Sequence, residues 1–100
     1  MATRRRSPPL TPEEALRIIQ SAMRLNQVRY SDHAFFESLP HRRWRHRDVK
    51  KAVAETKLVR WQDDREDWVC TGGTDLQGEP LHVVAAIHGW QVDIVTIYGD

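Results

Sequence analysis

Two stretches of helical periodicity followed by four strand-like stretches predict an α+β domain: two N-terminal helices packed on a four-stranded antiparallel sheet. Three observations carry this prediction. Apolar residues recur every three to four positions through Thr11–Asn26 and again after Trp44. From Lys57 onward the spacing changes to two, with turn residues between the runs. One hundred residues, 40% apolar and 29% charged with only five Gly and five Pro, suit one modest core and exclude a disordered chain.

Residues 1–9, with Arg4-Arg5-Arg6 and Pro8-Pro9, carry no periodicity and read as a flexible basic arm, leaving 10–100 as a single domain. No apolar stretch follows these arginines, so neither a signal peptide nor a membrane span is expected, and the cytoplasm is the expected compartment. The first helix opens on Thr11 as cap, Pro12 at the first helical position and Glu14 completing a capping box. Ala15, Ile18, Ile19, Ala22 and Met23 then share one face, and the helix ends near Asn26.

"QVRYS" reads as a short extended piece, and "DHAFFESL" as a short helix stopped by Pro40. The second long helix starts after Trp44, with Arg45 as a weak cap, Asp48 third in the helix and Trp44 stapled onto Val49; it ends near Thr56. Phe35, Phe36, Leu39, Trp44 and Val49 read as packing residues. "LVRWQDD", "EDWVCTGGTD" and "PLHVVAAIHGWQVDIVTIYG", the last broken at His88-Gly89, supply the four strands. Strict alternation puts Leu81, Val83, Ala85 and Ile87 on one side and His82, Val84 and Ala86 on the other. It also groups Val92, Ile94, Thr96 and Tyr98 against Val95 and Ile97. With the more apolar rows turned to the helices, His82, Thr96 and Tyr98 are candidates for the sheet's open face.

The net charge of +1 conceals an asymmetry. Residues 1–62 hold fourteen Lys/Arg against six Asp/Glu, and residues 63–100 hold one against eight. A basic half attracts phosphates, while an acidic half avoids them or holds a basic protein. The cations concentrate in "HRRWRHRDVKK", where Arg42, Arg43, Arg45, Arg47, Lys50 and Lys51 face one acid, Asp48. A merely soluble helix intersperses opposite charges, so this run is a candidate phosphate-binding surface.

Histidine takes or gives a proton near neutral pH, and Arg forks match phosphate oxygens. RNA cleavage needs a base for the 2′-hydroxyl, cations for the phosphorane and an acid for the leaving 5′-oxygen. His33, His82 and Tyr98, with Arg42 to Arg47, supply those functions if the fold brings them together. Each also has a plain structural reading: a capping His33, a hydrogen-bonded strand His82, a packed Tyr98 with a wet hydroxyl. The lone Cys70 reads as a small buried strand residue. His41 and His46 lie among cations without ligand spacing, and "CTGGTD" opens no helix, so neither a metal nor a cofactor is expected.

"YSDHA", "HRDVKKAV", "WVCTGGTDLQGEPLHVVAAI" and "DIVTIYG", in this order, resemble the bacterial domain-of-unknown-function family 4258 over about Leu16 to Gly99. "AMRLNQVRYSDHA" also resembles the first-helix and short-strand segment of MqsR. The resemblance implies a RelE-like fold and a metal-independent mRNA endoribonuclease that inhibits translation. It further implies a toxin of a type II toxin–antitoxin system, partnered by a zinc-finger/helix-turn-helix antitoxin of the MqsA/YgiT type. His33, His82 and Tyr98 fall on the family's polar positions. Two departures stand out. Glu37 or Ser38 occupies the place of an arginine, and Arg43 the place of a glycine, with Pro40 between. The rival reading is a non-catalytic module that binds nucleic acid or a protein through the same basic surface.

Overall fold

The computed structural model describes residues 10–100; the basic arm expected over 1–9 lies outside them. Helix α1 spans Pro12–Arg24. Its capping box is complete: the Glu14 amide donates to Thr11 Oγ1 at 3.1 Å, and the Thr11 amide to Glu14 Oε1 at 2.9 Å. Ala15, Ile19 and Met23 are buried, whereas Ile18 sits at the edge of the apolar stripe and is partly exposed. The helix stops at Leu25, after which Asn26 turns the chain with φ of 56°, a conformation Asn tolerates better than most residues.

The fold is α+β, but the sheet has five strands and is mixed. Strand β1, Val28–Tyr30, pairs in parallel with β5, Gln91–Tyr98, whereas β2 (Leu58–Gln62), β3 (Asp67–Thr71), β4 (His82–His88) and β5 form an antiparallel meander. The order across the sheet is β1-β5-β4-β3-β2. The four-stranded antiparallel prediction therefore missed an edge strand. Three residues cannot display an alternating pattern, and what makes them a strand lies more than sixty residues away. Arg29 donates to both Asp93 carboxylate oxygens at 3.2 and 3.3 Å, and Ser31 donates to the carbonyls of Ile94 and Val95.

Past β1 the chain turns into a π-helical segment, Ala34–Ser38, that runs directly into the short helix α2, Leu39–His41. Pro40 does not stop this helix. It sits in the first turn of α2, where a missing N–H costs nothing, and the wide π turn closes around it with Leu39 N donating to the Ala34 carbonyl. The stop comes at Arg42 and at Arg43, whose φ of 57° lies in the left-handed region. The π turn also overturns the packing role expected of Phe35 and Phe36. Ala34 and Ser38 take the inward positions, and the two phenylalanines are 55% and 68% exposed.

Helix α3, His46–Ala54, starts as predicted, with Asp48 Oδ2 accepting from the Arg45 amide at 2.8 Å. Val49, Ala52 and Val53 join α1, Trp44 and one sheet face in a single core with Trp68, Leu81, Val83, Ala85, Val92, Ile94 and Ile97. Close seating of α3 depends on Gly73, where any Cβ would run into the Ala52 carbonyl.

A bulge decides which residues reach the other face. Val84 pairs with Thr96 but Ala85 pairs with Ile94, which leaves Val95 as the extra residue. Strict alternation would group Thr96 and Tyr98 with Val92 and Ile94. The bulge shifts the phase instead, so Ile94 and Ile97 both enter the core. Tyr98 lies opposite His82, on the face away from Val83 and Ile97. Among the described residues no helix is long and apolar enough to cross a membrane.

Candidate functional site

Beyond the short β1, the π-helical segment and α2 run along the C-terminal half of β5, where Ser38 and Thr96 hydroxyls share a hydrogen bond of 3.1 Å. A cleft of about 330 Å³ opens there, lined by His33, Glu37, His41 and Arg42 on one side and by Thr96, Tyr98 and Gly99 on the other. Two of the three residues nominated for proton transfer, His33 and Tyr98, thus share one cleft with the nominated phosphate ligand Arg42. His82 stands behind them as the cross-strand neighbour of Tyr98, their ring centroids 5.0 Å apart.

Both histidines are held by carboxylates. His33 Nδ1 donates to Glu37 Oε2 at 2.8 Å, one helical turn on, so its Nε2 is the nitrogen left for a ligand. His82 Nε2 donates to Asp100 Oδ1 at 2.7 Å, and its buried Nδ1 has no hydrogen-bond partner among the described residues. Arg42 is fixed as well. Its Nη2 donates to the main-chain oxygen of Asp100 at 3.0 Å, and its guanidinium carbon lies 5.7 Å from the centre of the Trp44 ring.

A second cleft, of about 480 Å³, lies on the other side of Arg42 and is walled by Arg43, Arg45, Arg47, Trp44, Leu76 and Gln77. Its floor is pinned by two acids. Asp75 accepts from the Trp44 indole at 3.1 Å and from the Gln77 and Glu79 amides at 2.8 and 3.0 Å, and Asp48 Oδ1 accepts from the Leu76 amide at 2.9 Å. Burial alone would raise the Asp75 carboxyl, but these hydrogen bonds outweigh it and hold it below the usual carboxylate range.

The six cations of the basic run do not form one surface. Four arginines surround the second cleft, whereas Lys50 turns toward α1, its Nζ donating to Asn26 Oδ1 at 3.2 Å. Lys51 donates to Thr74 Oγ1 at 2.7 Å and pairs with Glu55 at 3.0 Å. Hydrogen bonds from Lys51 and Thr74 bring the Glu55 carboxyl down to about 2. The two basic-run histidines part in the same way. His41 lines the first cleft, while His46 accepts from the Tyr30 hydroxyl at 2.7 Å and donates from Nε2 to Asn26 Oδ1 at 2.9 Å. Cys70 is buried in β3, and burial pushes its thiol up to about 12, far from a reactive thiolate.

Sequence reasoning passed over Glu37, His41, Asp100, Leu76 and Gln77. Glu37 had a readable signal, four residues from His33 on a helical stretch. Asp100 had none, since its meeting with His82 depends on the register of β4 and β5. Comparison of the chain with protein-family models, with curated proteins and with solved structures finds no match.

Proposed function

We propose that the chain is a toxin of a type II toxin–antitoxin system, a cytoplasmic, metal-independent mRNA endoribonuclease with a RelE/MqsR-like fold, held in check by a cognate antitoxin. The observation that carries the reading is the shared cleft of His33, Tyr98 and Arg42, with His82 against the Tyr98 ring. A proton acceptor, a proton donor and a guanidinium around one hollow are what in-line transfer from a 2′-hydroxyl requires. His33 Nε2 takes the 2′-hydroxyl proton as the O2′–P bond forms. Arg42 binds the non-bridging oxygens. Tyr98, backed by His82, gives a proton to O5′ as the P–O5′ bond breaks, leaving a 2′,3′-cyclic phosphate and a 5′-hydroxyl.

One departure from the family is itself consistent with the resemblance. Arg43 stands where the family has glycine, and its φ of 57° is a conformation glycine favours. The experiment is induction in bacteria, alone and together with the neighbouring gene. Growth arrest with mRNA decay, relieved by the neighbour, is the expected result; unaffected growth and intact mRNA without the neighbour sink the proposal.

One observation favours the non-catalytic binding module. Asp100 already occupies both His82 Nε2 and Arg42 Nη2. Separate substitution of His33, His82 and Tyr98 discriminates the two. A ribonuclease loses cleavage while keeping RNA affinity, whereas a binding module tolerates those changes and fails on charge reversal at Arg42, Arg43 and Arg45.

A further inference from the structure

We infer that the second cleft is a nucleotide subsite on the same RNA strand, with Arg45 and Arg47 gripping a phosphate next to the cleaved one and Leu76 and Gln77 selecting its base. The inference rests on the reading of the first cleft as an RNA-cleavage site and extends it to the strand's path and sequence preference.

Arg42 forms the wall common to both clefts. A strand whose scissile phosphate meets Arg42 from one side is therefore carried past it into the other hollow. At about 480 Å³ that hollow is the larger of the two, and it falls within the about 300–1,000 Å³ range of small-ligand sites, enough for a nucleotide unit.

Its charge is only partly offset from within, because four arginines line it against two carboxylates, Asp48 and Asp75. The carboxylates of Asp48 and Asp75 are committed to the Arg45, Leu76, Gln77 and Glu79 amides and to the Trp44 indole. Among the described residues Arg43, Arg45 and Arg47 make no ion pair, and all three side chains are exposed. Planar guanidinium forks left without carboxylates match phosphate oxygens.

Opposite the arginines, the amide bonds to Asp48 and Asp75 hold the backbone of Leu76 and Gln77 still while both side chains reach solvent. Leu76 is 52% exposed although it lies on a pinned loop, an apolar surface that a base can cover. The Gln77 amide carries both a donor and an acceptor, the combination that reads the edge of an unpaired base. Arginines on one wall with an apolar and an amide side chain on the other match the two ends of a nucleotide.

The probe is single-stranded 2′-O-methyl RNA of defined sequence, which lacks the attacking hydroxyl, so binding is read by fluorescence anisotropy whether or not the protein cleaves. The paired change Arg45→Ala with Arg47→Ala should weaken binding about tenfold or more and reduce the salt slope by about two. Leu76→Ala and Gln77→Ala should leave overall affinity within a few-fold but flatten the preference for one base across a panel varied at a single position. Binding and salt dependence unchanged in the arginine variant, or base preference unchanged in both loop variants, overturns the subsite. Wild-type protein that binds an acidic peptide but no RNA overturns it as well. If RNA binding and base preference behave as stated while unmodified RNA stays intact, the subsite stands and only the cleavage reading fails.

Discussion

Asp100 holds two candidate site residues at once: its side chain accepts from His82 Nε2 at 2.7 Å, and its main-chain oxygen accepts from Arg42 Nη2 at 3.0 Å. The two residues come from segments forty positions apart, and neither would be fixed in this way without the residues that follow β5. The same carboxylate is an anion beside His82 and Tyr98, next to the cleft proposed to take a phosphate. Asp100 thus orders the site and competes for it.

Asp100→Ala removes that anion while leaving a main-chain oxygen for Arg42. Affinity for uncleavable single-stranded RNA should rise about threefold, the scale of one exposed ion pair. Anisotropy titration at fixed salt measures it, and weaker binding would mean that Asp100 only orders the site.

Glu37 is the counterpart for His33. His33→Ala should lower cleavage by about 10²–10⁴, the range for loss of a general acid or base, with RNA affinity nearly unchanged. Glu37→Ala should cost less, about tenfold, because it releases the imidazole without deleting it, and Glu37→Gln should recover part of the loss by still accepting from Nδ1. Single-turnover cleavage of a labelled RNA reads all three. Equal activity in the alanine and glutamine variants would leave Glu37 without a positioning role.

Two of the three glycines of the β3–β4 loop, Gly73 and Gly78, separate packing from backbone conformation. At Gly73 a Cβ meets the Ala52 backbone, whereas at Gly78 it meets nothing within 4 Å but the φ is +83°. Gly73→Ala should therefore destabilise by about 1–3 kcal/mol through overpacking, or more if α3 cannot shift. Gly78→Ala pays only the left-handed conformation, about 1 kcal/mol. Urea denaturation of both variants tests the order.

Legibility in the sequence followed the range of the interactions involved. Helix α1, helix α3 and the four later strands announce themselves through local spacing and the Thr11 and Asp48 caps, all of which the fold reproduces. Strand β1 exists because Arg29 finds Asp93 and Ser31 finds Val95, partners that no local pattern reveals. The π turn that exposes Phe35 and Phe36 and the bulge at Val95, which sends Val92 and Ile94 to the core while Thr96 and Tyr98 keep the expected opposite face, each add one residue to a repeat. Such phase shifts are invisible to periodicity. His33, Tyr98 and Arg42 could be nominated by chemistry, but their sharing of a cleft depends on both shifts.

Stability should depend on pH through the joint between β1 and α3. His46 accepts from the Tyr30 hydroxyl through Nδ1 and donates through Nε2 to Asn26, whose oxygen also takes the Lys50 ammonium. Burial, followed by the nearby Lys50 charge, lowers the His46 pKa, so the folded protein favours the neutral ring. Burial likewise raises the Tyr30 phenol, which stays protonated as the donor. Because the folded-state value is depressed, the unfolded chain binds the extra proton first as pH falls below about 6.5. The contribution of His46 is therefore complete above that pH and is lost on the acid side. Glu55 and Asp75 are also held low, but as carboxylates they lose their contribution only below about pH 4, in a separate window. Urea denaturation between pH 5 and pH 7.5 should show stability falling toward pH 5 in the wild type and a flatter profile in His46→Gln. Parallel profiles would assign the acid-side slope to other groups.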